Sequence, residues 1–311
     1  MAVSVPRSLS AALSNGRALF ERERVLGPLL LTPAVLYIVL LVGFPFLFAL
    51  YLSLTDATTG NPYGRYIGLA NFIEVFQDPV AMRALRNTFT FTVLAQVAVL
   101  VLANVLAHAL QRPFRGRGLV MFLVLLPWVA PVSLTTIGWL WIFHARFSIL
   151  DWMLRGIGWL GPGENMFWLG RPTLAMFSVV TVHVWRMLPF ATVILLAGLA
   201  ALPRDVLDQA EVDGAGFWRR LVHIVLPLLA PVTAVAVLFG TIFTFTDMAV
   251  VYVLTRGGPF DTTQVLSSLA FFKGIFGGNL SVGASISLLL FPVLLVAAVL
   301  VLRLARRVEV A

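Results

Sequence analysis

The sequence predicts an all-α integral membrane protein with six transmembrane helices, and three observations carry that prediction. Hydrophobic residues make up 60 % of the 311 and charged residues 12 %, against roughly 45–50 % and about 25 % in soluble domains. A soluble fold cannot hide that much apolar surface without aggregating. Six windows nearly free of Asp, Glu, Lys and Arg are each long enough to cross a bilayer, which needs ~20 apolar residues. The basic residues gather between the windows, with a bias toward alternate loops.

In chain order, window 25–55 is too long for a signal-peptide core and has no cleavage signature after it, so a retained span is expected. Window 87–111 lies between Arg86 and Arg112, and window 118–145 between Arg117 and Arg146. Window 172–203 is interrupted only by Arg186, window 221–255 only by Asp247, and window 274–302 closes the set. The expected spans are about 26–53, 87–111, 118–145, 173–201, 224–254 and 276–303, in a membrane domain over 25–305 between tails 1–24 and 306–311. An even number of spans puts both termini on one side. That side carries 13 of the 22 basic residues and the other carries eight over longer loops, so both termini are expected in the cytoplasm. Pro45, Pro127, Pro131, Pro189, Pro227, Pro231 and Pro292 fall within or at the ends of the windows. Proline bends a helix, and so many bends suit a bundle that moves better than a set of lipid anchors.

Composition also excludes chemistries. Without cysteine there are no disulfides, zinc–thiolate sites or cysteine nucleophiles. The net charge of +8 comes from 21 Arg and Lys273 scattered between spans, which does not describe a nucleic-acid surface. His108, His144, His183 and His223 show no metal spacing, so no metal site is expected. No Gly-x4-Gly-Lys-Ser/Thr loop exists, so an ATP site of that kind is excluded.

The loop between spans four and five, 203–223, is the most informative stretch. Pro203 and Asp205 suit a helix start, Val206, Leu207 and Ala210 recur at helical spacing, and Asp213-Gly214 punctuates the chain. A second short helix is expected from about Phe217 into span five. The plain alternative is a helix lying on lipid headgroups. Four acids, Asp205, Asp208, Glu211 and Asp213, argue against an anionic inner leaflet and for docking in a groove on another protein. Asp208 and Asp213 are either local helix caps or partners for Arg on that protein. Gly214 permits the turn. Phe217 and Trp218 either anchor the groove contact or pack on this chain's own helices, and Arg219 and Arg220 are also explained as positive-inside charges.

Two charges lie inside the membrane, where charge is costly and usually faces a bundle interior or a cavity. Counted from the outer span ends at 1.5 Å per residue, Arg186 and Asp247 differ in depth by roughly 8 Å, which leaves their pairing open. Arg186, Asp247, Trp185, His183, Asn104 and Trp141 are candidate cavity residues, and for each of them structural packing is the competing explanation.

The stretch Asp208-Gln209-Ala210, Asp213-Gly214-Ala215 and Leu226-Pro227 resembles the EAA loop of permease subunits in bacterial ABC importers. Asp208 stands where that family has Glu, and Gln209 where it has Ala. Leu31-Thr32-Pro33-Ala34, Gly68-Leu69-Ala70-Asn71-Phe72, Trp185-Arg186 and Leu254-Thr255-Arg256-Gly257-Gly258-Pro259 are similar to the sugar-importer branch with the maltose and glycerol-3-phosphate permeases, over roughly 27–305. The resemblance implies a MetI-like six-helix bundle in the bacterial inner membrane. It implies a second permease, two ABC ATPases that hold ATP and Mg, an extracytoplasmic sugar-binding protein and no cofactor on this chain. Asp208, Ala210, Asp213, Gly214, Ala215, Phe217, Trp218 and Arg220 become the ATPase-coupling residues. Two readings compete: an ion-coupled secondary transporter, which leaves the acidic loop unexplained and for which no internal repeat is visible, and a membrane-embedded transferase, which needs companion acids that Asp247 lacks.

Overall fold

The structure is a computed structural model, and it describes residues 23–309. The tail 1–24 therefore lies almost wholly outside the described residues, and with it Arg7, Arg17 and Arg22. The regular elements among the described residues are helices, with two isolated bridges, Thr55 to Tyr66 and Thr58 to Asn61. The chain divides into two units, up to Leu52 and from Ser53 onward.

The first unit is an apolar helix built of α1 (Glu23–Ile38), a π-type turn (Val39–Gly43) and α2 (Phe44–Ser53), whose last residue opens the second unit. Thr32 donates to the Pro28 carbonyl at 2.7 Å, and Phe48 stacks between Phe44 and Tyr51.

The second unit contains α3 (Ala70–Gln77), α4 (Pro79–Gln111), α5 (Arg117–Val129), α6 (Val132–Ile142), α7 (Ile149–Gly156) and α8 (Pro172–Ala200). It continues with α9 (Arg204–Val212), α10 (Phe217–Arg220), a π-type turn (Leu221–Val225), α11 (Leu226–Thr246), α12 (Ala249–Leu254), α13 (Leu266–Phe271), a further π-type turn (Phe272–Phe276) and α14 (Leu280–Glu309).

Among the described residues, five helices are long and apolar enough to cross a membrane, and six spans result when α5 and α6 count as one. Span three is not the single helix 118–145 of the sequence reading: α5 and α6 meet at 100°. Proline disfavours helical backbone in the residue before it, and Ala130 is extended with ψ 145° ahead of Pro131. Span two starts earlier than residue 87, because the Asp78 carboxylate accepts from the Val80 amide at 2.8 Å and Pro79 takes the first helical position. Span five ends at Thr246, not near 254, and the chain breaks at Asp247 before α12 resumes. Span six begins at Leu280 and stays helical through its basic end to Glu309.

The centre of the unit is the packing of α4 on α8. Ala95, Val99, Ala103 and Ala107 recur every fourth residue on α4 and are buried against Val184, Met187, Ala191, Leu195 and Leu199 of α8. In lipid, where tails are as apolar as leucine, such small-residue stripes bring backbones close enough for van der Waals contact to hold helices together. Leu229 of α11 closes the same cluster. The N-terminal end of α4 is fastened to the loop before α13. Asn87 donates to the carbonyls of Thr262 and Gln264, and Thr88 accepts from the Leu266 amide.

Candidate functional site

α8 places His183 and Arg186 one turn apart on the face that meets the broken end of α11. Asp247 sits at that break, with its backbone extended (ψ 106°), so its carboxylate is free of the helix. His183 Nδ1 donates to Asp247 Oδ2 at 2.7 Å, and Arg186 Nη2 donates to the same oxygen at 2.6 Å. Oδ1 accepts from the Val250 amide at 3.3 Å, at the start of α12. His183 Nε2 meets Thr244 Oγ1 at 2.9 Å, and Gln96 of α4 donates to the same hydroxyl at 3.2 Å. Phe91 sets its ring against the imidazole at 4.9 Å between centroids. Gly240 admits Gln96: a Cβ at 240 would lie 2.6 Å from the Gln96 amide.

The depth estimate that left the pairing of Arg186 and Asp247 open assumed straight, unbroken helices. The break at Asp247 removes that assumption, and the two groups are in direct contact. An isolated buried charge is prohibitive; here carboxylate and guanidinium balance each other.

Arg186 and Asp247 form one side of a cleft of about 380 Å³ that Trp128, Phe243, Thr246 and Met248 also line. Trp128 stacks on Phe190 at 4.8 Å and meets Phe243 edge-on at 5.5 Å. Within the described residues, Arg186 Nε and Asn104 Oδ1 are the buried side-chain atoms with no hydrogen-bond partner.

Of the six residues assigned to a cavity from sequence, the structure unites His183, Arg186 and Asp247. Trp185 turns the other way and packs on Trp139 of α6 at 5.5 Å. Trp141 is 69 % exposed and stacks on His144. Asn104 lies toward the opposite end of α4, in a cleft with Phe217 and Trp218. These three do not share the cleft of Arg186, because their helix faces diverge from it. Trp128, Phe243, Thr244 and Gln96 were missed. Gln96 is an uncharged polar residue midway along an apolar window, and Thr244 lies one turn before Asp247; both were visible signals. Trp128 had none, because an aromatic in an apolar run looks like lipid-facing packing.

At the opposite end of α8, α9 and α10 form the loop. Ala215 N–H donates to the Ala210 carbonyl and Gly214 N–H to the Glu211 carbonyl, at 2.9 and 3.0 Å. With Gly214 at φ +75°, this is a Schellman turn. Asp213 therefore ends α9, and Asp208 lies within it, so neither caps a helix N-terminus. Ala210 is 8 % exposed, one turn from Leu207, which packs against this chain's own core. It seats the loop and is not on the face open to a partner. That face carries Asp205, Asp208, Gln209, Val212 and Asp213 around a shallow depression. Arg220 donates to Glu211 at 2.7 Å and braces α10 against α9. Phe217 and Trp218 are 51 % and 73 % exposed and meet edge to face. From Phe217 the chain runs as one helix to Thr246, ending beside Asp247.

A charge-balanced polar centre thus lies inside broken spans, and one helix joins its neighbourhood to a charged loop outside them. The family model described as "Binding-protein-dependent transport system inner membrane component" matches residues 105–310. The chain belongs to that family, as a multi-pass permease subunit of an ABC transport system. The trehalose/maltose transport system permease protein MalF of Thermococcus litoralis is 32 % identical, over 92 % of this chain and 95 % of its own length. The trehalose transport system permease protein SugA of Mycobacterium tuberculosis is 32 % identical over 97 % and 95 %. A solved bacterial ABC transporter involved in the import of the acidic polysaccharide alginate has a chain of the same fold, with TM-score 0.77, 20 % identity, and 93 % of this chain and 97 % of that chain covered.

Proposed function

We propose that this chain forms half of the membrane pathway of an ATP-driven sugar importer. A second, homologous permease supplies the other half, two ABC ATPases supply the energy and hold ATP and Mg, and an extracytoplasmic binding protein delivers the sugar. The chain itself binds no cofactor. Its termini and the α9–α10 loop face the cytoplasm, on the side with 13 of the 22 basic residues.

One observation carries the reading: the loop is internally bonded and joined without interruption to the helix that ends at Thr246, beside Asp247. The Schellman turn, the Arg220–Glu211 bridge and the seating of Ala210 leave Asp205, Asp208, Val212 and Asp213 outward, with Phe217 and Trp218 beside them. Closure of the ATPases moves such a loop as a rigid body, and the helix carries the motion to the cleft of Arg186, Trp128 and Phe243. Trp128 offers a face on which a pyranose ring stacks, and the Arg186–Asp247 pair offers donors and acceptors for its hydroxyls. Reversing a 1:99 population needs ~5.5 kcal/mol of differential binding, which closure of a nucleotide-bound dimer supplies and one loose contact does not.

The test is ATPase activity stimulated by sugar-loaded binding protein, in the complex co-expressed with its neighbouring genes' products. Gly214→Pro and Asp208→Lys are expected to abolish the stimulation or the association. An assembly from which no ATPase is ever recovered sinks the reading. An ATPase that associates and is stimulated normally with both variants removes the loop's role.

A further inference from the structure

Two clefts lie side by side between the inner half of α4 and the α10–α11 joint. One, of about 380 Å³, is lined by His108, Gln111, Arg112, Leu207, Arg220 and Val225, among others. The second, of about 430 Å³, is lined by Leu100, Val101, Val105, Trp218 and Leu226, among others. His108, Phe217 and Leu221 belong to both. Together they form one groove with a basic, polar mouth at the loop end and an apolar length running into the membrane.

We propose that this groove is a binding site for an anionic phospholipid of the leaflet on the loop side. Four features point to that occupant. The groove follows α4 from Leu100 to Arg112, roughly 18 Å at 1.5 Å per residue, close to half of the ~30 Å hydrocarbon thickness. It is thus as deep as one leaflet. Its apolar wall is continuous with the outward face of α4, where Val93, Val97, Val101 and Val105 are each 57–63 % exposed. Its mouth is cationic: Arg112 and Arg220 line it, and Arg115, Arg117 and Arg219 lie in the same two loops. Glu211 is the acid at this mouth. It is bonded to one Nη of Arg220, and a guanidinium has five donors. The remaining loop acids, Asp205, Asp208 and Asp213, ring the separate depression on α9. Basic pockets beside spanning helices on the cytoplasmic side recognise anionic headgroups in this way. One acyl chain lies along Val101, Val105 and Leu226 under Trp218, and the phosphate meets Arg112 and Arg220. A lipid seated there wedges the loop against α4 and sets its stiffness.

The inference rests on the cytoplasmic placement of the loop, and its test needs neither ATP nor sugar, so it stands or falls separately from import. The full-length chain, purified with the subunits that accompany it, is titrated in detergent with dioleoyl phosphatidylglycerol, dioleoyl phosphatidylcholine or inorganic phosphate while its melting temperature is followed. Phosphatidylglycerol is expected to raise the melting temperature saturably, and the other two are not. Arg112→Gln is expected to weaken the apparent affinity about fivefold. Val105→Trp fills the groove without touching a charge, and it is expected to abolish the shift while the lipid-free melting temperature stays within a few degrees. Equal shifts with phosphatidylcholine, a shift with phosphate alone, or wild-type response in Val105→Trp overturns the proposal. A wild type indifferent to lipid, with Val105→Trp instead releasing a partner subunit, overturns it in favour of a protein in the groove.

Discussion

The polar centre and the loop solve opposite problems. The centre is buried, and its members come from three helices: Gln96 from α4, His183 and Arg186 from α8, Thr244 and Asp247 from the end of α11. Each is tolerated because the others are there. The loop is exposed, and its geometry is set within twelve residues by one turn and one ion pair. The comparison teaches that polarity at the centre is cooperative and expensive to disturb, whereas polarity at the loop is a local matter in which backbone conformation counts for more than charge.

The largest test of that contrast is Asp247→Ala. It leaves Arg186 and His183 buried without their carboxylate, and removing one partner of a buried ion pair costs about 3–5 kcal/mol. Thermal unfolding of the purified complex is expected to show that loss, and the double variant Asp247→Leu with Arg186→Met is expected to recover much of it. A single variant as stable as wild type would break the comparison.

Gly214 gives the intermediate effect. Space is open around it, so Gly214→Ala meets no neighbour and fails only through its backbone at φ +75°, which costs a residue with a Cβ roughly 1–2 kcal/mol. Asn visits that region more readily and is expected to lose less. Helix content of the loop, read by amide hydrogen exchange over residues 204–220, separates the two variants. If both exchange like wild type, the turn does not set the loop.

The smallest effect sharpens the comparison by separating burial from distance in sequence. Asp78 pairs with Lys273 at 3.0 Å, across nearly two hundred residues, but the lysine side chain is 43 % exposed. Burial raises the Asp78 carboxyl, and the Lys273 ammonium and the Val80 amide outweigh it, holding it below its usual 3.8. A carboxyl lowered on folding stabilises above the unfolded value and loses that contribution as pH falls through the folded one. The loss is expected below about pH 4 and amounts to ~0–1 kcal/mol after solvent screening. Lys273→Met is expected to flatten the acid limb of the melting temperature against pH. A loss as large as that of Asp247→Ala would show that distance in sequence, and not burial, governs the cost.

How much was legible in the sequence follows the same division. The loop could be read almost residue by residue, because Pro203, Asp213-Gly214-Ala215 and the stripe of Leu207 and Ala210 act within a few positions of themselves. What it did not show was facing: Ala210 is buried, and of the two roles open to Asp208 and Asp213 the N-terminal cap is removed. At the centre the residue types were legible and the contacts were not. Counting depth along straight helices left the pairing of Arg186 and Asp247 open, and the break after α11 brings them into contact. Pro131 announced that span three bends, but a proline does not specify 100°, and so Trp128 was never placed beside Phe190 and Phe243.

The uninterrupted run from Phe217 to Thr246 has a geometric consequence. Thirty helical residues measure about 45 Å. Pivoted near its base, such a rod works as a lever: a tilt of roughly 10° sweeps its far tip by about 8 Å, more than the width of a water molecule and close to that of a pyranose ring. Leu226-Pro227 lies about a third of the way along the rod and Pro231 near its middle. The tip ends beside Asp247, and Phe243 and Asp247 both line the space in front of Trp128.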